Sequence, residues 1–581
     1  MEAKTLNLYA LFYMTCILAT IDTGLFVYPS LSRALSLELG ISVMSIFVLY
    51  TSLRRGITII TSKYDLFLLA WIIYVLFHFA VSQPHELYRT LYLVVTLSLV
   101  LMIKTMLRLG LVVKNTIING LILIALMQVL CVIMQFWGII GSGSPYFKVV
   151  GVTENPTVAA IYLVGVLPLL LSRIRWNRFG VFYMFILLLL FLSVYLLRCR
   201  TAYIGCFMVI FVYAIMSWSR NIFCILDNIK KWLLVISLMA FVMFIAGGKL
   251  YSMKKDSADG RVLIWKLSVQ LIADNPFGYG YGLFEKNYNL KQVDYFRAGK
   301  YSDSEQRNAS FVLMPYNDFL EHGVEGGLVG MLFLFSFYVI MIEKALRQKR
   351  SVETAVFISF GVMSITNFVY GAILPWLFVM CMASFVMVED DENNIASPLG
   401  KMMLLGVPVL GLALYSTYLI SRLMNAQIEL KSFCVLNDKY EIASNDASLA
   451  MLENEISTSE CFWRQRASYN IKKQNYLDAI GNIREARKYS SSPELFMQEA
   501  ICLSSIGCRS ASVNYIDTLS MMVPRKLSYK YTLMRYCLSV GMHEKATNYA
   551  RDIIVIGAKK ETSKARMIIN EAKKCLKRYE D

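Results

Sequence analysis

The sequence predicts an all-α protein: a polytopic transmembrane bundle of about 12–13 spans, one large outward-facing loop and a C-terminal helical-repeat domain. Three observations carry that expectation. The 581-residue chain is 57% hydrophobic with a mean hydropathy of +0.51, too apolar for an ordinary soluble protein. Runs of about 20 apolar residues, enough to cross about 30 Å of hydrocarbon, recur through residues 8–422. After Arg422 the chain turns polar and Lys-rich with a helical pattern. A membrane domain over 1–422 and a soluble domain over 423–581 follow.

Spans are expected at 8–29, 36–53, 65–81, 87–108, 111–136, 156–172, 179–197, 201–218, 231–247, 324–342, 354–370, 371–388 and 401–421. The divisions inside 8–53 and 354–388 rest on short separating segments. No cleavable leader is expected, because only Lys4 precedes the first apolar run as a basic lead-in and the run continues to Tyr28. Basic residues set the orientation. Arg54, Arg55 and Lys63 follow span two, and Lys104, Arg108 and Lys114 follow span four. Arg173, Arg175 and Arg178 follow span six, Arg220, Lys230 and Lys231 follow span eight, and Lys344, Arg347, Lys349 and Arg350 follow span ten. The N-terminus and these exits then face the cytoplasm, while the long loop at about 248–323 and the tail face outward. The same topological bias accounts for the net charge of +17, so no nucleic-acid partner is expected.

Twelve cysteines show no CxxC pair and no His/Cys cluster, so no metal site is expected. Six lie in or beside spans as small apolar residues. Cys434, Cys461, Cys502, Cys508, Cys537 and Cys575 lie in the tail, and their pairing does not follow from spacing.

The tail repeats itself. Ala479, Ser512 and Ala546 hold equivalent small positions spaced as tetratricopeptide repeats are. Gly507 and Gly541 mark turns inside hairpins, and Pro493 and Pro524 mark hand-overs between them. Such repeats present surfaces for partners, so a protein partner on the tail is an expectation.

Chemistry is expected in the long loop and its neighbours. The loop carries Asp-Gly-Arg-Val-Leu-Ile-Trp (Asp259 to Trp265), a Gly/Tyr-rich stretch from Asp274 to Gly282, and Tyr316 to Gly330. Polar segments held between spans are where function concentrates. Outside it lie Arg198-Cys-Arg-Thr201, Gly151-Val-Thr-Glu-Asn-Pro-Thr157 and Ser82-Gln-Pro-His85, all on the outward side. Tyr279, Tyr281, Phe284, Tyr288, Tyr295 and Phe296 are either a platform for sugar rings or the loop's own packing.

Read together, Thr153 to Thr157, Arg200-Thr-Ala202, Gly260-Arg261 with Trp265, Asn275-Pro-Phe-Gly278 with Gly280, and Asn317 to Gly330 resemble the O-antigen ligase family, which includes O-antigen polymerases and bacterial O-oligosaccharyltransferases. The resemblance covers roughly residues 130–390. It implies transfer of a glycan from undecaprenyl diphosphate to an acceptor hydroxyl of lipid A-core, a protein or another carrier-linked glycan, at the periplasmic face of the bacterial inner membrane, within lipopolysaccharide biosynthesis. It implies no cofactor and no metal. Arg200 and Arg261 match the family's arginines and would clamp the diphosphate, with Asn155, Thr201, Trp265, Asn317 and Asp318 as substrate-binding residues. The family's usual histidine before the Asn is here Tyr316, and a phenol is a poor base at neutral pH. His322, a nearby carboxylate (Asp318, Glu321 or Glu325), or a Tyr316-lined site needing little base remain open. The competing class is a transporter or membrane scaffold with a docking tail, which would tolerate loss of both arginines.

Overall fold

A computed structural model describes residues 12–15, 17, 20, 22–55, 59, 62–144, 146–174, 178–218, 255–299, 301–388, 399–438, 446–557 and 563–579. Among them regular structure is helical, with no strand. The first membrane block holds α1 (Pro29–Arg55), α2 (Lys63–Val81), α3 (Leu87–Arg108), α4 (Lys114–Phe136), α5 (Pro156–Leu171), α6 (Arg178–Leu196) and α7 (Arg200–Trp218). The long loop folds into α8 (Lys255–Asp274), α9 (Phe284–Arg297), α10 (Asp303–Asn308) and α11 (Asp318–Glu325). Then come α12 (Gly327–Arg347), α13 (Ser351–Thr366), α14 (Ile373–Met387) and α15 (Leu399–Asp438).

Six described helices are long and apolar enough to cross a membrane, and four shorter apolar ones accompany them. α5 and α14 are hydrophobic on every side and almost wholly buried, the pattern of helices at the middle of a bundle. α6 instead exposes Val181, Phe182, Phe185 and Leu188, an apolar outer face suited to lipid.

Two expected boundaries differ. Residues 22–28 are not helical, so the expected span at 8–29 does not continue to Tyr28, and α1 starts at Pro29; Pro is favoured in a first turn because its missing N–H has no helical partner there. The span at 401–421 is part of the 40-residue α15, which runs straight through Arg422. No glycine or proline follows Gly411 in that helix to stop it. The expected span at 231–247 lies outside the described residues.

The bundle has two ends of different character. At one, Arg55 Nη1 donates to the Leu109 carbonyl at 2.9 Å, Lys104 meets Asp65 at 2.6 Å, Lys114 meets Glu353 at 2.6 Å and Arg350 Nη1 donates to the Phe385 carbonyl at 2.6 Å. The basic span exits therefore come together. At the other end lie the starts of α3, α5 and α7, the long loop and the tail.

The tail continues as α16 (Asp446–Ile456), α17 (Glu460–Lys472), α18 (Tyr476–Ala486), α19 (Pro493–Ser505), α20 (Arg509–Met522), α21 (Leu527–Ser539), α22 (His543–Ile556) and α23 (Ser563–Tyr579). Its helices pack as successive hairpins, α17 with α18, α19 with α20 and α21 with α22. Ala479, Ser512 and Ala546 are buried on the second helix of each. Ser512 Oγ donates to the Ala500 carbonyl of the facing helix at 2.7 Å, which shows why a small side chain sits there.

The tail also grips the loop. Ser491 Oγ donates to Glu285 at 2.6 Å, Gln292 Nε2 to the Met522 carbonyl at 2.7 Å and Arg297 Nη2 to Thr518 at 2.6 Å. Val293 of α9 shares a core with Phe496, Leu519, Met522 and Tyr529. A charge placed in that core stays unpaired. Val293→Asp is therefore expected to free α9 from the tail, read as faster limited proteolysis within residues 284–297 while the membrane helices stay protected.

Lys104 and Asp65 are both 0% exposed, and removing one member of such a pair leaves a buried charge, at a cost of about 3–5 kcal/mol. Lys104→Met should lower the thermal unfolding midpoint in detergent, and Lys104→Met with Asp65→Leu should recover most of the loss. An unchanged midpoint for the single variant would contradict this account.

Candidate active site

Three sequence-distant segments meet at the loop end of the bundle. The first is the start of α7. Asn155 caps α5, its side-chain oxygen accepting from the Thr157 N–H at 2.9 Å. The Thr157 hydroxyl in turn hydrogen-bonds Cys199, so the Thr153–Thr157 and Arg198–Thr201 stretches lie side by side. Arg200 opens α7, whose N-terminal N–H groups favour anions.

The second is α8. Its Arg261 is near enough to Arg200 and Cys199 for their charges to act on it. Burial pulls the Arg261 pKa below its ordinary value; the Tyr316 phenol opposes this, and the like charge of Arg200 adds to it. Arg261 Nη1 donates to the Thr366 carbonyl at 2.7 Å, and its guanidinium lies 4.9 Å from the centre of the Tyr316 ring. Among the described residues no carboxylate forms an ion pair with Arg261. One helical turn on, Trp265 Nε1 donates to the Pro315 carbonyl at 3.0 Å and so fixes the approach to Tyr316.

The third is the entry to α11. Tyr316 has φ +54°, a left-handed conformation that costs a non-glycine residue about 1–3 kcal/mol and persists only where its surroundings enforce it. Arg198, two residues before Arg200, has φ +51°. Asn317 then caps α11, accepting from Phe319 and Leu320 N–H at 3.0 and 3.1 Å. Asp318, wholly buried, accepts from Val369 N–H at 2.9 Å and Tyr370 N–H at 3.1 Å. Burial and the charge of Glu321 push its pKa up to about 7, against the pull of these donors.

The structure thus brings Arg200, Arg261, Thr201, Trp265, Tyr316 and the Asn155 loop together. It sets His322 apart. Tyr316 lies outside the helix, and the Asn317 cap stands between it and the turn that carries His322. His322 is 0% exposed, with ring centres of Tyr370, Tyr281 and Trp71 at 4.2, 6.0 and 6.1 Å. Its Nδ1 donates to the Asp318 carbonyl at 3.1 Å. Burial, helped by the positive charge of Arg89, depresses its pKa to about 3. A base must reach the proton it takes, and this imidazole is walled off. Glu321 faces Arg89, which donates to it at 2.8 Å, and its second oxygen Oε2 has no hydrogen-bond partner among the described residues. Burial raises the Glu321 pKa, while Arg89 counteracts.

The aromatic loop residues divide differently from a sugar platform. Tyr281, Phe284, Tyr288 and Phe296 are buried, the last three within the loop's own core. Gly278 and Gly327 explain the glycine-rich stretches. Both have positive φ, and a Cβ on either would strike the other's segment, Gly327 N and Glu325 O in one case and Phe277 O and Pro276 O in the other. A cavity of about 400 Å³ lined by Tyr13, Asn119, Arg173 and Tyr183 lies at the opposite end of the bundle and touches none of these groups.

Sequence reasoning missed Arg89, Tyr370 and the Thr366–Asn367 turn. Arg89 lies in the first turn of a span, where an arginine reads as an interfacial anchor, and the turn falls between two spans whose division was itself insecure.

Residues 185–335 match the family model described as O-Antigen ligase. That match bears out the resemblance to the O-antigen ligase family, and the apolar helices mark a multi-pass membrane protein. No curated protein matches the chain.

The depressed His322 pKa has a measurable consequence. Below about pH 6.5 the unfolded chain protonates this residue while the folded one refuses the proton until about pH 3, so the contribution to stability is present above 6.5 and lost as pH falls. His322→Gln should therefore shrink the drop in unfolding midpoint between pH 7.5 and 5. An equal drop in both proteins would place His322 in contact with solvent.

Proposed function

We propose, with the family match as premise, that this chain is an O-antigen ligase-like glycosyltransferase. It moves a glycan from undecaprenyl diphosphate to an acceptor hydroxyl, with lipid A-core oligosaccharide as the first-choice acceptor. A protein Ser/Thr or a growing carrier-linked glycan is the alternative within the same family. The site then lies at the periplasmic face of the bacterial inner membrane, with the loop and the tetratricopeptide-like tail outside and the basic end of the bundle in the cytoplasm.

The observation that carries the reading is the pairing of Arg200 with Arg261, the latter held by a carbonyl and an aromatic face rather than by a carboxylate. An anionic ligand near both guanidiniums is attracted by each. A diphosphate suits them because each planar fork offers paired, charge-assisted donors to phosphate oxygens. In the reaction the acceptor oxygen bonds to the anomeric carbon as the bond from that carbon to phosphate oxygen breaks. The electron pair leaves with undecaprenyl diphosphate, and the two arginines stabilise the charge that builds there. The acceptor proton passes to a carboxylate of α11, that of Glu321. Its Oε1 is held by Arg89 and its buried Oε2 has no hydrogen-bond partner among the described residues, so acceptor binding has to uncover that oxygen. Asn317 and Asp318 support this arrangement by shaping α11, and Trp265 and Asn155 by fixing the two flanking loops.

A transporter or scaffold would need none of this. The test is Arg200→Ala and Arg261→Ala in cells: each should lower transfer by about 100–1000-fold, the usual loss for one electrostatic donor, and carrier-linked glycan should accumulate. Normal surface glycan in the double variant would end the reading.

A further inference from the structure

We infer that Asn367, in the turn between α13 and α14, is a positioning residue that holds the two arginines in one geometry. The inference rests on the glycan-transfer reading and goes beyond it, because Asn367 lies outside every segment that carries the family resemblance and outside the matched residues.

α13 ends at Thr366, and a helix leaves its last carbonyls without helical partners. The Thr366 carbonyl takes the Arg261 Nη1 donor at 2.7 Å, so Arg261 caps the negative end of α13. The next residue, Asn367, is 2% exposed. Its Oδ1 accepts from the Phe368 N–H at 3.0 Å, which settles which end of the amide is oxygen. Its Nδ2 is then the donor that meets Thr201 Oγ1 at 3.2 Å. Thr201 is the residue after Arg200. Adjacent positions of one short turn thus hold the two arginine-bearing helices, the backbone holding Arg261 and the Asn367 side chain holding α7.

The turn is itself anchored. Val369 and Tyr370 N–H groups donate to the Asp318 carboxylate, and the Phe368 ring meets the Tyr316 ring at 5.9 Å between centres. Tyr316 is the same ring that Arg261 covers. Like charges near one another repel, and the turn is a fixture that both arginine-bearing helices share. Thr201, expected as a substrate-binding residue, has its hydroxyl committed to Asn367.

A misplacement of about 1 Å at a reacting centre costs up to about 100-fold in rate, whereas one buried neutral hydrogen bond contributes little to fold stability. The experiment uses the purified full-length protein with carrier-linked glycan as donor, measuring kcat and KM for Asn367→Ala, Thr201→Val and the double variant, with Arg261→Ala as control. Unfolding midpoints are measured alongside. Expected are a kcat lowered about 10–100-fold in each single variant at a nearly unchanged midpoint, and a double variant no worse than Asn367→Ala alone. A merely structural role would move the midpoint in step with kcat. Wild-type kcat in Asn367→Ala, or additive losses, overturns the inference while an inactive Arg261→Ala keeps the arginine reading. If Arg261→Ala itself transfers normally, the arginine reading falls and this inference falls with it. Should Asn367→Ala not fold, Asn367→Ser in the same cycle decides the matter by the same criteria.

Discussion

A guanidinium with no carboxylate partner among the described residues, near a second guanidinium, is the constraint around which the loop end of this bundle is built. Arg261 is held by the C-terminal carbonyl of α13 and by the face of Tyr316. Both are attractive to a cation, yet neither cancels its charge. A carboxylate in their place would fix the side chain equally well and would neutralise it. The nearby acid, Asp318, spends its lone pairs on the N–H groups of Val369 and Tyr370. The acid thus shapes the turn that receives Arg261 without pairing with it.

Two other buried or half-buried charges of the bundle are paired with acids. Lys104 and Asp65 pair at 2.6 Å with neither exposed, and Arg89 is committed to Glu321 while its guanidinium lies 4.1 Å from the Tyr370 ring centre. Charge inside a bilayer-spanning protein is costly unless matched. Matched pairs brace the helices, whereas Arg261 at the candidate site forms no ion pair with a carboxylate among the described residues. The same partition explains the histidine: His322 belongs to the aromatic packing of Tyr370, Tyr281 and Trp71 and not to the charged face.

The long loop has the rigidity that a positioned site requires. Its glycine-rich turn locks against the end of α11 through Tyr279 and Gly280 N–H groups, which donate to the Val324 and Glu325 carbonyls at 2.9 Å. Its outer helix α9 is held between the loop's own core and the tail. The tail therefore has a task within its own chain. Its α19 and α20 surface is in part occupied by α9, which leaves other faces for any partner.

Composition and periodicity determined the class of this protein, because hydrocarbon-length apolar runs and basic exits are local properties that no packing arrangement can alter. The helical hairpins of the tail were legible for the same reason, as equivalent small residues recur at Ala479, Ser512 and Ala546. The glycines at 278 and 327 announced a tight approach, though not each other as partners. Arg200, Arg261 and Trp265 stood out in the sequence as candidates, and the groups that hold them did not. Which helices become neighbours decides that: Arg261 and Thr366 are 105 positions apart, and Thr201 and Asn367 are 166. The role of His322 also waited for the fold, since its residue type suggests a base and only its burial among aromatic rings removes it from the reacting groups. Local pattern sets which elements form, whereas long-range packing sets which polar groups are paired and which are hidden.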